Sequence, residues 1–363
     1  MAKRKVLTEE TLKRFIKRDS HSMLEIAEHF DVTPKEVNKM LLSMKNSNYN
    51  ILEDNSTMVA LGTDINTGVV THPFDPRMWQ GDILKFGFSS DNHMCNNNSR
   101  EDVNNLLYDI FASEGIGLVY NGGNWIDGEH HFNKNEIFIR GCTNQLKYCA
   151  EHYPYRKGII TKFVAGDDHE GWYVQREGIN VGEYLVKHRR DLGMNDLEYL
   201  GYGEADILLS EPDQKHESWL RVLHPGGGSA YALSYTMQKL VESYQGGEKP
   251  TIILAGHYHK LDYSFPREVH AIQMGTTCDQ TLFMRKKKIQ AMVGGGIVEA
   301  RRAADGSINR VKVEFITFYD KSFYIGKDKY FKGYMAEKYK KKEVYTEKTP
   351  GKPDIKTFDP VGQ

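Results

Sequence analysis

The chain has 363 residues, 39% of them apolar and 27% charged, with 48 lysines and arginines against 49 aspartates and glutamates for a formal net charge of -1. That length favours two domains and allows a sizeable core, and the balanced charge argues against a polycation that grips nucleic acid over its whole surface. With no apolar run of membrane-span length, no apolar stretch behind Lys3-Arg4-Lys5, and four cysteines lacking a CxxC pair, the expectation is a cytoplasmic protein with reduced thiols and no membrane partner.

Three helices open the chain. Leu12, Phe15 and Ile16 fall at i, i+3 and i+4 and predict a helix over 8–18. Ser22 is placed to cap a second helix reaching Phe30, with Leu24, Ile26, Ala27 and Phe30 inward. Thr33, Pro34 and Glu36 give a third helix its cap, its proline at the first helical position and its carboxylate three beyond the cap. Val37, Met40, Leu41 and Met44 form its apolar face, which leaves Lys35, Asn38 and Lys39 outward. Residues 49–61 read as two strands about Glu53-Asp54-Asn55-Ser56. This order resembles the winged-helix family. The resemblance implies a third helix in the DNA major groove, with Lys35, Asn38, Lys39 and Lys45 as the nucleic-acid contacts and a wing at 54–56. Ten basic against nine acidic residues over 1–60, and an acidic wing tip, keep a docking or homodimerisation module as the alternative.

Residues 62–80, with Gly62, Gly68, Pro73 and Pro76, read as a linker or as a strand with turns. From Gly81 the pattern becomes βαβ. A strand over 82–88 runs into Ser90-Asp91-Asn92-His93, and Ser99 is the expected cap of a helix to about Glu114. The strand over 116–120 ends in Asn121-Gly122-Gly123-Asn124-Trp125-Ile126-Asp127, and the strand over 158–165 ends in Gly166-Asp167-Asp168-His169-Glu170. Residues 204–209 start another strand, 219–223 lead into His224, and a helix is expected over 229–244. The run over 251–255 is ended by Gly256-His257-Tyr258-His259. Strands follow over 269–274 and 289–293, then a hairpin joining 297–301 to 308–319 around Asp305-Gly306.

Carboxylates, amides and imidazoles thus stand at five strand ends, where open α/β sheets place their sites. Any one group has an ordinary reading: Asp91 as an Asx turn, Asn124 as turn chemistry, His224 as a packed histidine. Five together suit divalent Mn, Fe or Zn, with donors enough for two ions. Two ions can bridge a phosphoryl oxygen, generate hydroxide near neutral pH and steady a leaving oxygen.

The order DxH, G(D/N)xxD, a GD-D-H-E stretch, His and GHxH over about residues 80–320 is similar to the calcineurin-like metallophosphoesterases. The resemblance implies an α/β (α+β) fold, a β-sandwich flanked by helices with metals at the strand ends. It makes Asp91, His93 and His259 ligands of one metal and His224 and His257 ligands of the other. His169 matches the histidine that protonates the leaving oxygen. Two positions depart from the family pattern. The bridging carboxylate falls at Asn124 and the usual asparagine ligand falls at Asp168. The carboxylate count is conserved, so Asp168 (or its neighbour Asp167) is expected to restore the charge lost at Asn124, which counts Asp168 among both ligands and catalytic groups. Asp127 is a supporting carboxylate or a turn residue, and Glu170 orients His169 or faces solvent. Arg189-Arg190-Asp191 is either a phosphate grip or, the better reading, a solvated charge run.

The expected organisation is a winged helix over 1–61, a linker over 62–80, a metallophosphoesterase domain over 81–326 and a lysine-rich tail over 327–363. The expected activity is that of a nuclease using two divalent ions, Mn2+ foremost, on DNA before RNA. Basic runs at 3–5, 285–288 and 330–342 favour it. The alternatives are a phosphatase or cyclic-nucleotide phosphodiesterase with a docking winged helix, and an attenuated DNA-binding protein.

Overall fold

The computed structural model describes residues 6–318 except 18–20, 48, 50, 54–57, 62–68, 167–168, 172, 174–177, 229 and 231. For 52–53 and 58–61 it describes the backbone alone. The expected wing tip, Asp167, Asp168, the basic run at 3–5 and the tail over 327–363 therefore lie outside the described residues.

The amino-terminal helices begin where their caps dictate. Thr8, Ser22 and Thr33 each accept a hydrogen bond from the third residue of the helix that follows, and that residue's side chain returns the bond. Such a box satisfies two backbone donors that the helix itself cannot. The helices Glu9–Ile16, Met23–Phe30 and Pro34–Asn46 pack around Leu12, Ile16, Ile26, Phe30, Val37, Leu41 and Met44. Leu24, expected inward, is instead 65% exposed, because Ile26, Ala27 and Phe30 turn the buried stripe away from it. Strands His21–Ser22, Met58–Leu61 and Ile51–Glu53 form a three-stranded antiparallel sheet in that order.

The larger body is two sheets face to face with helices outside. One sheet runs Ile308–Phe318, Val293–Arg302, Ile83–Ser89, Leu118–Asn121, Ile160–Ala165, Leu197–Tyr202. The other runs Leu261–Ser264, His270–Met274, Ile252–Ala255, Trp219–Leu223, Glu204–Leu208, Val70–His72. The two-residue side-chain period sorts the layers. Leu118 and Tyr120 join Leu84, Phe86, Phe88, Leu220, Val222, Ile252, Leu254 and Ile272 between the sheets. Val119 faces the opposite way, into a core shared with the helices Glu101–Ser113, Cys142–His152 and Val181–Asp191. Ile253, Ala255 and Ala271 face the helix Tyr235–Ser243 on the far side. Each such fully buried leucine, isoleucine or phenylalanine contributes roughly 1.5–3 kcal/mol of burial.

Several boundaries differ from the sequence expectation. Residues 70–72 are an edge strand of the second sheet and Trp79 pairs with Leu84, so this stretch belongs to the body. Ser99 is not the cap of the helix it precedes. Its hydroxyl donates to the Asn92 carbonyl, and Arg100 occupies the cap position, held by Asp102 and Asp279. The helix expected over 229–244 is the shorter Tyr235–Ser243, and the strand expected over 289–293 begins only at Val293, after a left-handed Lys288. No helix among the described residues is long and apolar enough to cross a membrane.

Candidate metal centre

Parallel pairing sets the position of the site. Ile83–Ser89, Leu118–Asn121 and Ile160–Ala165 run parallel in one sheet, and Trp219–Leu223 and Ile252–Ala255 run parallel in the other. Their carboxyl ends share one edge of the sandwich, and each chain leaves that edge through a loop carrying a proposed ligand. The backbone there is under constraint. Of ten non-glycine residues with positive φ among those described, five are Asp91, His93, Asn124, His257 and His259, at 44–75°. This region is sparsely used by residues with a Cβ, and such outliers concentrate at functional sites.

The loops are laced together by backbone bonds, from Asp91 N to Gly123 O, His93 N to Asn124 O and Asp127 N to Met94 O, each at 3.0 Å. Glycine makes the approach possible at two places. A Cβ on Gly256 would lie 2.5 Å from Ser90 Oγ and 2.7 Å from the Gly122 carbonyl, and one on Gly166 would collide with the Asn124 amide. Asn92 is a further tie, donating to Thr277 Oγ1 and accepting from Asn121 Nδ2, both at 2.8 Å.

At the centre Asp91 is wholly buried. Its Oδ2 accepts from Ser90 Oγ at 2.7 Å and from the His257 amide at 2.9 Å, which leaves Oδ1 facing His259 Nε2 at 3.3 Å and His93 Nε2 at 3.9 Å. The two Nε2 atoms are 3.1 Å apart. Burial alone would raise the Asp91 carboxyl, but the imidazoles of His259, His224 and His93 outweigh it and hold it well below the usual carboxylate range. Burial pushes His93 down to about 4, helped by His169 and opposed by Asp127, and pushes His224 down to about 3 against the pull of Asp91. Both are neutral near pH 7 and present a lone pair. In each the other nitrogen fixes the tautomer. His93 Nδ1 donates to Asp127 at 3.0 Å and His224 Nδ1 donates to the Gly122 carbonyl at 2.7 Å.

These groups fit divalent cations. Asp91, His93 and His259 offer ligand atoms within 4.8 Å of one another. His224 Nε2 and Asn124 Oδ1 are buried acceptors without a hydrogen-bond partner among the described residues. An orphaned buried acceptor costs about 1–3 kcal/mol, a deficit that a coordinated cation removes. The His224 and His257 rings stand 5.2 Å apart, and Asn124 Nδ2 lies 3.3 Å from Asp91 Oδ1. His93, Asp127 and His169 are equally close, but the Asp127 oxygens are taken by His93, Asn96 and Asn133, which makes Asp127 an orienting carboxylate. Asp127→Asn is therefore expected to weaken Mn2+ binding roughly 10–100-fold by calorimetric titration. An unchanged affinity would reduce Asp127 to a turn residue.

His169 Nδ1 donates to the Asp127 carbonyl at 2.7 Å, which leaves Nε2 as the nitrogen able to meet a ligand, and its ring stands edge-to-face on His93. Glu170 neither orients His169 nor faces solvent. It is wholly buried and accepts from the amides of Asn124, Trp125 and Gly166, tying two ligand loops together, while burial lifts its carboxyl to about 7 against those donors.

No protein-family model matches the chain, and no curated protein matches it. Solved structures share backbone similarity with it. An archaeal phosphodiesterase is 12% identical over 64% of this chain and 100% of its own, with a TM-score of 0.33. A 5'-nucleotidase precursor of Thermus thermophilus is 13% identical over 70% of this chain and 59% of its own, at 0.34. Vps29 of Entamoeba histolytica, solved with zinc, is 13% identical over 65% of this chain and 100% of its own, at 0.30. Scores this low leave the chemistry of the site to rest on its own side chains.

Asp91, His93, Asn124, His224, His257 and His259 are thus gathered at one edge, with His169 beside them. Lys35, Asn38, Lys39 and Lys45 are exposed on the helix Pro34–Asn46 and take no part in this cluster. Arg189 is neither a phosphate grip nor a solvated charge. It is wholly buried and forks onto Asp196 at 2.7 and 2.9 Å. Sequence reasoning also gave no role to Ser90, Asn92 and Asn121, whose only signal was their place in the candidate loops, or to Thr277, which lies in none of them.

Proposed function

We propose that this chain is a metal-dependent phosphodiesterase that hydrolyses nucleic-acid diester bonds, DNA in preference to RNA. The observation that carries the reading is the buried set of Asp91, His93 and His259, with two histidine tautomers fixed so that lone pairs face inward. Divalent cations held by that set and by His224, His257 and Asn124, Mn2+ before Fe or Zn, would supply Lewis acidity toward the phosphoryl oxygens and an acidified water. Asp127 holds His93 in place, and Glu170 fixes the loop that presents Asn124. His169 holds a proton at Nε2 for the departing oxygen while its Nδ1–H stays on the Asp127 carbonyl. Asp168 belongs to this reading as the carboxylate that offsets Asn124. Residues 1–61 serve in it as a winged-helix arm, supported by the exposure of Lys35, Asn38, Lys39 and Lys45. A homodimer built on that module is the alternative use of the same surface.

The test offers purified, Mn2+-loaded protein a labelled oligonucleotide, bis-p-nitrophenyl phosphate and p-nitrophenyl phosphate. Cleavage of both diesters supports the reading, and cleavage of the monoester alone overturns it in favour of a phosphatase. His169→Gln should lower kcat on the oligonucleotide roughly a hundredfold or more. It should cost far less on the nitrophenyl diester, since p-nitrophenolate leaves without a proton. Equal losses on both would remove His169 as the acid. A second reading, a DNA-binding protein with attenuated chemistry, is favoured by one feature, the neutral Asn124 beside Asp91, its Oδ1 without a partner among the described residues. Metal binding with no hydrolysis of any of the three substrates would select it.

A further inference from the structure

A continuous run of rings leads out of the centre. His169 stands on His93 with 4.5 Å between centroids, and His130 meets His169 edge-to-face at 5.1 Å. Phe132 stacks on His130 at 5.1 Å with the planes 5° apart, and Phe283 stacks on Phe132 at 4.8 Å. The outer end is open to solvent, with Phe132 40%, Phe283 39% and Leu282 52% exposed. Single exposed apolar side chains need no explanation, but three together at the end of a stacked run that starts on the proposed acid do. The helix Leu282–Lys287 that carries Phe283 also carries Arg285, Lys286 and Lys287 and is followed by Lys288, all exposed.

The arrangement is built in advance. Asp127, which orients His93, also accepts from Asn133 Nδ2 at 2.7 Å and so fixes the turn that presents His130 and Phe132. The amide of Leu282 donates to Glu136 at 3.0 Å, and Asn98 donates to the same carboxylate oxygen at 3.2 Å, which pins the basic helix to the loop that follows His93.

The geometry points to a strand-guiding subsite for single-stranded nucleic acid, in which a base beside the scissile phosphate stacks on Phe283 at the outer end of the run, backed by Phe132, while the basic run over 285–288 neutralises flanking phosphates. This rests on the phosphodiesterase reading and narrows its substrate. Flat aromatic faces beside a cationic run suit an unpaired strand, because every unstacked base has a ring face and every nucleotide a charge. A duplex keeps its bases stacked on one another and offers the rings nothing.

The test is binding and turnover of a fluorescent oligothymidylate by the full-length protein. Anisotropy is read in EDTA, so that no cleavage occurs, and kinetics are read with Mn2+. The Phe132→Ala/Phe283→Ala variant should weaken binding and raise KM roughly tenfold or more. An abasic oligonucleotide of the same length should bind the parent as weakly as it binds the variant. Phe283→Tyr, which keeps a ring, should retain parental affinity, and Arg285→Gln/Lys286→Gln/Lys287→Gln should flatten the salt dependence of binding. Equal affinity of parent and double variant, or of intact and abasic strands, overturns the subsite. A parent that shows the ring-dependent binding yet cuts no diester keeps the subsite and removes the phosphodiesterase reading. One that cuts diesters without ring dependence does the reverse.

Discussion

Replacing Asp91 with alanine is expected to strip the purified protein of its divalent ions and to lower kcat/KM on an oligonucleotide by on the order of a thousandfold or more. The size of the effect follows from how many parts of the site meet at this one carboxylate. Oδ1 faces both His93 and His259, and Oδ2 accepts from Ser90 and from the amide of His257, so a group placed to coordinate a cation also positions the loop of the GHxH pair. Without it a dication finds only neutral donors. Elemental analysis after Mn2+ loading and gel filtration measures the first effect, and steady-state kinetics the second. A variant that keeps bound Mn2+ and most of its turnover would show that the cluster is packed imidazole and carboxylate with no metal role. Thermal melting in EDTA separates loss of metal from loss of fold, since apo parent and apo variant should then melt within a few degrees of each other.

The sequence revealed those parts of the molecule whose determinants are local. Thr33, Pro34 and Glu36 announce a helix start because a cap, a proline and a returning carboxylate act within one turn, and the helix begins at Pro34. The polar groups clustered at the strand ends were readable for a related reason. A run such as Ile252–Ala255 is buried on both faces, so the polar residues that follow Gly256 stand out. What stayed hidden depends on distant partners. The helix Cys142–His152 buries Gln145, whose amide satisfies the backbone of Gly128 and Ile139, so its inner face carries too weak an apolar stripe to recognise. Glu170 looks like a solvated carboxylate until Asn124, 46 residues earlier, supplies the amide that receives it. The balance of desolvation against three backbone donors cannot be judged from neighbours in the chain. Asp127 is a turn aspartate by pattern, and becomes a brace only when the fold brings His93, Asn96 and Asn133 around it.

Arg189→Met is expected to destabilise the protein by about 3–5 kcal/mol while leaving KM unchanged. From composition this arginine sits in a run of charges. In the fold it ends the helix Val181–Asp191 inside the core, forking onto Asp196 and donating to the carbonyls of Ala150, Tyr153 and Pro154. Those carbonyls close the helix Cys142–His152 and the turn after it, so one guanidinium fastens two helices to the strand that Asp196 precedes. Methionine fills much of the volume but leaves a carboxylate and three carbonyls without donors, and a broken buried pair costs far more than the intact pair contributes. Against a typical total of about 5–15 kcal/mol the loss is large enough to move a urea midpoint decisively. Arg189→Met/Asp196→Leu should regain a good part of it, because removing both partners leaves no charge stranded. A single variant that loses less than about 1 kcal/mol, or a double variant no better than the single, would show that the pair is solvated in solution. A raised KM in a variant of parental stability would instead return Arg189 to the role of a phosphate contact.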